Sequence, residues 1–344
     1  MIFKITHEKI AFIVTKSEIG GAQTWTNEMM KLVKNEGSVY LITSEDGWLT
    51  EQNNFEKVLI LPQLKKHFSF SGYISLLKFI RKENIDVMIA SSANAGIYSR
   101  MARLISKFKC IYVSHGWSCI YNGGMLKSVF IKIEKYLSYI TDVIWCVSRS
   151  DEDKAIRIIG INKCKIKTLT NSVVQMKEKE GNDCQKRIIF VGRLTYPKRP
   201  DLLINVVAKH PDMKLDIVGG GEYLKTLKET NKDISNINFV GEVKGFNNYS
   251  NYDLFVLVSD SEGLPMSGLE AHTAGIPLVL SNVGGCTELI EGNGLLVNNT
   301  EQDVERSIIS IFDNYDDYLL KSREVKGKFV FDSYADDYKK LILN

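Results

Sequence analysis

Two glutamates, Glu262 and Glu270, have a spacing that suits the binding of a ligand rich in hydroxyl groups. Residues 253–258 form an apolar run typical of a buried strand, and a helical pattern begins at Met266. This predicts Glu262 in a loop at the carboxyl end of a strand and Glu270 on the helix that follows. The free N–H groups of the helix start, near Met266 and Ser267, can receive a phosphate. The alternative is a turn-capping Glu262 and a solvated Glu270.

Arg193 and Lys198 are a second pair of charged residues with a suggestive position. They follow the predicted strand at residues 187–191, in a loop that begins with Gly192 and leads into a helix. A guanidinium grips a phosphate through its planar fork and an ammonium acts as a point charge, so both can meet one pyrophosphate. Exposed loop cations without a ligand are the competing interpretation.

His115 and the pair Gly20–Gly21 each follow a predicted strand. At the end of the strand at residues 110–113, His115 can bind a substrate hydroxyl or relay a proton, although a lone histidine is more often structural. Gly20 and Gly21 let the backbone approach an anion at a helix start. The sequence around them matches neither a dinucleotide-binding nor a Walker A pattern. A further strand end, Val240–Gly241, can present its backbone to a nucleobase.

The elements that must position these residues alternate between strand and helix throughout the 344 residues. This pattern predicts an α/β protein with two Rossmann-like parallel-sheet domains that face a central cleft, where ligands bind beyond the strand ends. The predicted parts are a first Rossmann-like domain, a linker, a second Rossmann-like domain and a C-terminal helix, at residues 1–170, 171–186, 187–325 and 326–344.

Composition narrows the class of protein further. We expect a cytoplasmic enzyme, because no long uncharged apolar run or signal-peptide pattern occurs in the sequence. The six cysteines show no paired spacing, which argues against a zinc site or a disulfide framework.

Charge is uneven: residues 1–168 carry an excess of Lys and Arg, and residues 169–344 an excess of Asp and Glu. Two basic, helix-patterned segments at 95–108 and 125–139 can rest on an anionic membrane surface, or they are core helices with a solvated basic face. No nucleic-acid-binding motif accompanies the charge.

Taken in order, these motifs resemble those of the retaining glycosyltransferases of family 4, which have the GT-B fold. The resemblance implies that Arg193 and Lys198 bind the donor pyrophosphate, that Glu270 binds the ribose, and that Glu262 binds the transferred sugar. It also implies that the domain at 1–170 binds the acceptor and the domain at 187–325 the nucleotide sugar. By the same resemblance, Gly21 approaches the phosphate, His115 contacts the sugar, and the C-terminal helix crosses back to the first domain. The other implied donor-binding residues are Gly20, Val240, Gly241, Gly263, Leu264, Met266 and Ser267. His272–Thr273 departs from the small apolar residues usual in the family.

The expected reaction moves a hexose or N-acetylhexosamine from a nucleotide sugar, expected to be a UDP-sugar, to a glycan or polyprenyl-linked acceptor in bacterial surface polysaccharide synthesis. No Asp-x-Asp metal motif is present, so we expect no cofactor or metal, with Arg193 and Lys198 in place of a divalent ion. The catalytic set is Glu262, His115, Arg193 and Lys198. The alternatives are an inverting transferase with His115 as base and a non-catalytic nucleotide-sugar-binding protein.

Overall fold

A computed structural model describes residues 7–66, 68–121 and 124–343. The chain divides into two compact units, the first made of Met1–Thr170 with Tyr334–Asn344 and the second of Asn171–Ser333. Each unit is built on one parallel sheet. The predicted class, two Rossmann-like parallel-sheet domains, is confirmed.

The sheet of the first unit has seven strands in the order β3-β2-β1-β4-β5-β6-β7. Its inner strands are apolar runs buried on both faces, as expected when helices cover a parallel sheet. The short edge strand β7 was not predicted, because three residues are too few to show a pattern. The strands are β1 Glu8–Ile13, β2 Gly37–Thr43, β3 Lys57–Ile60, β4 Val87–Ala90, β5 Lys109–Ser114, β6 Val143–Cys146 and β7 Ile166–Thr168.

Helices of the first unit connect these strands, and one more comes from the end of the chain. The C-terminal helix begins at Ala335, later than the predicted start at 326, after short 3-10 turns at Lys326–Phe329 and Phe331–Ser333. The hydroxyl of Tyr338 on this helix donates to the carbonyl of Thr170 within the same unit.

The α-helices of both units, within the described residues, are α1 Gly21–Val33, α2 Trp48–Glu51, α3 Phe70–Glu83, α4 Ala93–Arg103, α5 Ser118–Tyr121, α6 Lys127–Tyr139, α7 Arg149–Lys154, α8 Pro200–Val207, α9 Leu224–Thr230, α10 Met266–Thr273, α11 Glu301–Asp313, α12 Tyr315–Val325 and α13 Ala335–Leu343.

The sheet of the second unit has six strands in the order β10-β9-β8-β11-β12-β13. The strands are β8 Arg187–Val191, β9 Lys214–Val218, β10 Ile237–Gly241, β11 Leu254–Leu257, β12 Leu278–Ser281 and β13 Gly294–Val297. The chain enters the sheet at β8, in its centre, and adds β9 and β10 on one side. It then returns to the other side of β8 and adds β11, β12 and β13, so the order of the parallel strands reverses between β8 and β11. Open α/β sheets bind ligands at this reversal, beyond the carboxyl ends of the two strands.

The segment at residues 171–186, predicted as a linker, packs within the second unit. Val173 pairs with Val330 as an isolated parallel bridge, and Lys179 forms a buried ion pair with Asp253 at 2.9 Å. Asp253 also accepts the backbone N–H groups of Gln185 and Arg187, which fixes the entry into β8.

Candidate functional site

The loops after β8 and β11 are joined to each other at the reversal point of the second sheet. Lys198 and Ser259 form an isolated antiparallel bridge, and the N–H of Asp260 donates to the carbonyl of Pro197 at 2.9 Å. The N–H of Arg199 donates to the carbonyl of Val258 at 2.9 Å. These bonds hold the loop that carries Lys198 against the loop that leads to Glu262.

Lys198 and Glu262 form an ion pair across these loops. The Lys198 Nζ donates to Glu262 Oε1, and the two side chains are only 15% and 10% exposed. The sequence interpretation placed the cations opposite the carboxylates, with the ligand between them; the structure instead brings this cation and this carboxylate into contact. Arg193 lies earlier on the same loop and is exposed. Electrostatic attraction is stronger where protein shields charges from water. An anion that reaches Lys198 can therefore compete with Glu262 for it.

Glycine turns support both loops by close backbone contact. A Cβ at Gly219 would lie 1.9 Å from the carbonyl oxygen of Gly192, and one at Gly221 would lie 2.5 Å from that of Leu194. A Cβ at Gly284 would lie 1.9 Å from the carbonyl oxygen of Glu262. All three glycines have positive φ. These turns therefore fix where the two loops end.

The helix that carries Glu270 begins directly after the Glu262 loop. Gly263 and Leu264 are buried, and α10 starts at Met266 with no side chain capping its N-terminus. Met266 and Ser267 are partly exposed in the first turn. Their position is the one predicted for receiving a phosphate on backbone N–H groups.

Glu270 is held by a tyrosine that the sequence interpretation missed. The Tyr249 hydroxyl donates to Glu270 Oε2 at 2.6 Å, and the Tyr249 side chain is fully buried. Desolvation raises the pKa of Glu270 to about 7, and the hydrogen bond from Tyr249 opposes this rise. Tyr249 is 21 residues away in the chain, so local spacing gave no signal of the contact.

The predicted base-reading segment forms a bulge at the end of β10. The register with β9 shifts between Phe239 and Gly241, and Gly241 adopts a φ of 87°. Val240 is consequently 44% exposed although it lies in a sheet. The N–H of Gly219 donates to the carbonyl of Gly241 at 2.8 Å, which ties this bulge to the glycine turn after β9.

In the first unit, Gly20 and Gly21 stand at the start of α1. Gly20 is the extended residue before the helix, and its carbonyl accepts from the N–H of Thr24 at 2.9 Å. No side chain caps this helix start. The geometry predicted for an anion-binding turn is therefore present, on a helix of 13 residues.

His115 lies directly after β5, in a turn anchored by Asp151. The N–H of Gly116 donates to Asp151 Oδ2 at 3.1 Å, and the Trp117 indole N–H donates to the Asp151 carbonyl at 2.9 Å. The imidazole contacts Trp25 edge-on at 5.1 Å, and its Nε2 has no hydrogen-bond partner among the described residues. Desolvation lowers the pKa of His115 to about 4, so the ring is neutral at neutral pH.

The basic segment at 95–108 is only in part the solvated cationic face that its sequence suggested: Lys107 is exposed, but Arg100 is not. Arg100 is fully buried and forms two hydrogen bonds with Glu134, at 2.7 and 3.1 Å. Arg103 pairs with Asp142 at 3.0 Å, and Lys109 donates to the carbonyl of Leu341 at 2.8 Å. Amphipathic spacing cannot show that an arginine has a partner on another helix.

The second basic segment differs, because most of α6 is exposed. Residues Ile131, Glu134, Leu137 and Ser138 face the protein, and an apolar stripe with flanking lysines faces outward. The stripe, here called the α6 patch, consists of Met125, Leu126, Val129, Phe130, Ile133 and Tyr136, with Lys127, Lys132 and Lys135 exposed on the same helix.

None of the helices in residues 7–66, 68–121 and 124–343 is long and apolar enough to cross a membrane. Within the same ranges, no three His, Cys, Asp or Glu side chains cluster as metal ligands would.

The two Rossmann-like parallel sheets are the architecture expected of a GT-B glycosyltransferase. Residues 19–174 match the model of the Glycosyltransferase Family 4 domain, and residues 174–326 match that of the Glycosyl transferases group 1 domain. The chain belongs to the group 1, family 4 glycosyltransferases, and its activity is glycosyl transfer.

Particular relatives agree with this class. The chain is 58% identical over 336 residues to the O-antigen biosynthesis glycosyltransferase WbnH of Escherichia coli, with 98% of this chain and 99% of the relative covered. It is 27% identical to the Escherichia coli UDP-Gal:alpha-D-GlcNAc-diphosphoundecaprenol alpha-1,3-galactosyltransferase, with 95% and 94% covered.

A solved structure shares the fold. Anabaena Alr3699/HepE in complex with UDP and glucose superposes with a TM-score of 0.84 at 18% identity, with 97% of this chain and 99% of that chain covered. This likeness identifies the architecture of both units as GT-B.

Proposed function

We propose that this glycosyltransferase moves a hexose or N-acetylhexosamine from a UDP-sugar to a polyprenyl-diphosphate-linked glycan in O-antigen synthesis, with retention at the anomeric carbon. Three lines support the proposal: the O-antigen role in the name of the 58% identical relative, the lipid-diphosphate acceptor in the name of the 27% identical one, and the UDP bound by the structural neighbour.

The observation that carries the proposal is the Lys198–Glu262 ion pair at the reversal point of the second sheet. A nucleoside diphosphate brings negative charge to the place where Lys198 now has a carboxylate partner. In the proposed complex, Lys198 and Arg193 bind the diphosphate, and Glu262 turns its oxygens to the hydroxyls of the transferred sugar. Before the donor binds, Glu262 therefore pairs with Lys198 in place of the diphosphate.

The remaining donor contacts follow the family resemblance. Glu270 accepts hydrogen bonds from the ribose hydroxyls, and the start of α10 at Met266 and Ser267 meets the diphosphate. The exposed bulge at Val240–Gly241 lies at the carboxyl end of β10, where a nucleobase edge can bond the backbone. For the first unit, the resemblance assigns Gly20 and Gly21 to the phosphate and His115 to the sugar.

The chemistry breaks the bond between the anomeric carbon and the β-phosphate oxygen, and forms a bond from the acceptor oxygen to the same face of that carbon. The leaving diphosphate takes the acceptor proton, so no protein base is needed. Arg193 and Lys198 stabilise the negative charge that develops on the leaving group, which is the role we propose in place of a divalent ion.

The inverting alternative is disfavoured by the environment of His115. Desolvation lowers the pKa of this imidazole to about 4, which makes it a weak base at neutral pH. As a neutral ring it serves better as a hydrogen-bond partner for a sugar hydroxyl. The anomeric configuration of the product separates the two mechanisms.

We further propose that the protein works at the cytoplasmic face of a membrane and contacts it through the α6 patch. An exposed apolar stripe with lysines beside it matches the two attractions that hold an interfacial helix to anionic lipid. The acid on this helix, Glu134, is paired internally with Arg100, so it does not oppose the attraction. A lipid-linked acceptor lies in the same surface.

The test is a nucleotide-release assay with purified protein, a synthetic polyprenyl-diphosphate glycan and a panel of UDP-, GDP- and ADP-sugars. The proposal expects acceptor-dependent release of UDP and an α-linked product from an α-linked donor by NMR. Release of GDP or ADP alone would overturn the assignment of the base, and an inverted product would overturn retention. Lys198→Ala protein is the control for contaminating activity.

A further inference from the structure

The contact between Tyr249 and Glu270 has features that a simple packing contact lacks. Tyr249 opens a 3-10 turn, Tyr249–Asn251, just before β11, and its ring packs edge-on against Phe246 and Phe255 at 5.1 and 6.1 Å. These contacts fix the ring, so its hydroxyl points at one place. Glu270 Oε2 accepts from it at 2.6 Å.

We propose that Tyr249 is a positioning residue for nucleotide binding: its buried hydroxyl fixes the orientation of the Glu270 carboxylate and favours its ionised form, leaving Oε1 to accept from ribose hydroxyls. This inference rests on the proposed role of Glu270. A carboxylate can accept several hydrogen bonds, so one oxygen can be held by the protein while the other serves the ligand.

The charge state of Glu270 matters because an ionised carboxylate only accepts hydrogen bonds, whereas a protonated one also carries an O–H donor. The ionised form can therefore accept from two hydroxyls at once. Burial disfavours the ionised form, and raises the pKa of Glu270 to about 7. The Tyr249 hydroxyl opposes burial by donating to the carboxylate. Tyr249 itself stays protonated, because desolvation and the nearby Glu270 raise its own pKa.

Other titratable groups lie on the elements packed against α10 but do not shift the pKa of Glu270. Strands β11 and β12 carry none. The groups on the remaining elements are His272 on α10 itself, Cys286 and Glu288 on the segment Gly284–Leu289, and Lys326 and Lys328 on the segment Lys326–Phe329. Burial accounts for the upward direction of the shift in the pKa of Glu270, and the hydrogen bond from Tyr249 opposes it.

The decisive variant is Tyr249→Phe, and the chain offers a matched control in Tyr252→Phe. Tyr252 stands three residues later, is also buried, and donates through its hydroxyl to Asp216 at 2.7 Å. Both variants delete one buried hydroxyl that bonds a carboxylate, but only the first removes a bond to Glu270.

A direct test needs no ligand. In protein with ¹³C-labelled glutamate, the Glu270 carboxyl signal is assigned by its loss in Glu270→Gln and followed across pH by NMR. We expect its titration to move to higher pH in Tyr249→Phe and to stay in place in Tyr252→Phe. An unchanged titration in Tyr249→Phe would overturn the inference.

A second variant changes the hydroxyl without removing it. Incorporation of 3-fluorotyrosine at position 249 makes the phenol a stronger donor at almost the same size, so the Glu270 titration should move to lower pH. This variant also serves if Tyr249→Phe does not fold. A shift to higher pH, or none, would contradict the proposal.

UDP binding by calorimetry separates this inference from the proposed function. We expect wild-type affinity to fall as pH drops through about 7, and Tyr249→Phe to lose about tenfold at neutral pH, in keeping with loss of a hydrogen bond to a charged group. In a Glu270→Gln background, Tyr249→Phe should leave the pH dependence unchanged. If the carboxyl titration shifts as expected but no nucleotide binds, the proposed function fails, while the effect of Tyr249 on the orientation and charge of the Glu270 carboxylate stands.

Discussion

Two ion pairs that are shielded from water, a buried one in the first unit and a partly buried one in the second, show how similar chemistry can have different consequences. Arg100 and Glu134 in the first unit make a two-pronged contact, and Arg100 also donates to the carbonyl of Gly96 and lies 4.1 Å from the ring centre of Tyr112. Lys198 and Glu262 in the second unit share one contact, and Lys198 Nζ has no other hydrogen-bond partner among the described residues.

The difference lies in how completely the protein satisfies the cation. Arg100 is fully buried and surrounded by protein partners. Lys198 stands at the reversal point of its sheet with donors to spare, so a ligand can take it over. A buried pair is structural where the protein satisfies both partners, and functional where it leaves one of them incompletely satisfied.

The largest effect should come from Arg100→Met. Removing one partner leaves Glu134 buried without its cation, which costs about 3 to 5 kcal/mol of unfolding free energy. Urea unfolding measures the loss. The double variant with Glu134→Leu should recover most of it, because a matched apolar pair replaces the ions. Full stability in Arg100→Met would remove the distinction drawn above.

Lys198→Met should show the reverse pattern. We expect turnover to fall about a hundredfold, near 2.7 kcal/mol of transition-state stabilisation, with a much smaller change in unfolding free energy than in Arg100→Met. Nucleotide release and urea unfolding on the same sample provide both numbers. A variant with normal turnover and lost stability would make this pair structural as well.

Arg193→Ala should also lower turnover by at least about tenfold.

A buried group with no partner extends the comparison. His272 is 1% exposed, neither ring nitrogen has a hydrogen-bond partner among the described residues, and desolvation lowers its pKa to about 4. The unfolded chain then binds more protons than the folded one, so stability is lost as pH falls from 6.5 towards 4, by about 3 kcal/mol. Urea unfolding across this range should show a shallower loss for His272→Leu; parallel curves would contradict the effect.

Unlike Arg100, the lysines of α6 lack ion-pair partners among the residues described. Val129→Ser with Ile133→Ser should weaken binding to anionic liposomes about fivefold, through lost apolar contact. Leu104→Ser with Ile105→Ser is the matched control, because these residues are exposed apolar positions of the other basic segment. Equal loss in both variants, in a co-sedimentation assay, would point to non-specific binding.

The smallest expected effect is that of a chelator. If Arg193 and Lys198 do the work proposed for them, EDTA should leave nucleotide release nearly unchanged. Loss of activity that Mn²⁺ restores would show that the two cations are not sufficient.

Sequence reasoning located the strands well, because short apolar runs bounded by glycine and polar residues have few other interpretations. The strand ends then placed Glu262, Lys198 and His115 beside functional loops. What could not be predicted were contacts set by strand order and helix packing. Lys198 meets Glu262 because β8 lies beside β11, and Arg100 is buried because Glu134 comes from another helix, 34 residues later.

Gly284 has a consequence for anyone who wishes to alter which sugar this enzyme uses. The Glu262 loop contacts Lys198 on one side and the backbone of this glycine turn on the other. A Cβ at position 284 would lie only 1.9 Å from the carbonyl oxygen of Glu262. Libraries that vary the turn or lengthen the loop would mostly yield displaced carboxylates. Diversity is better introduced at the partly exposed Ser267, where a new side chain has room.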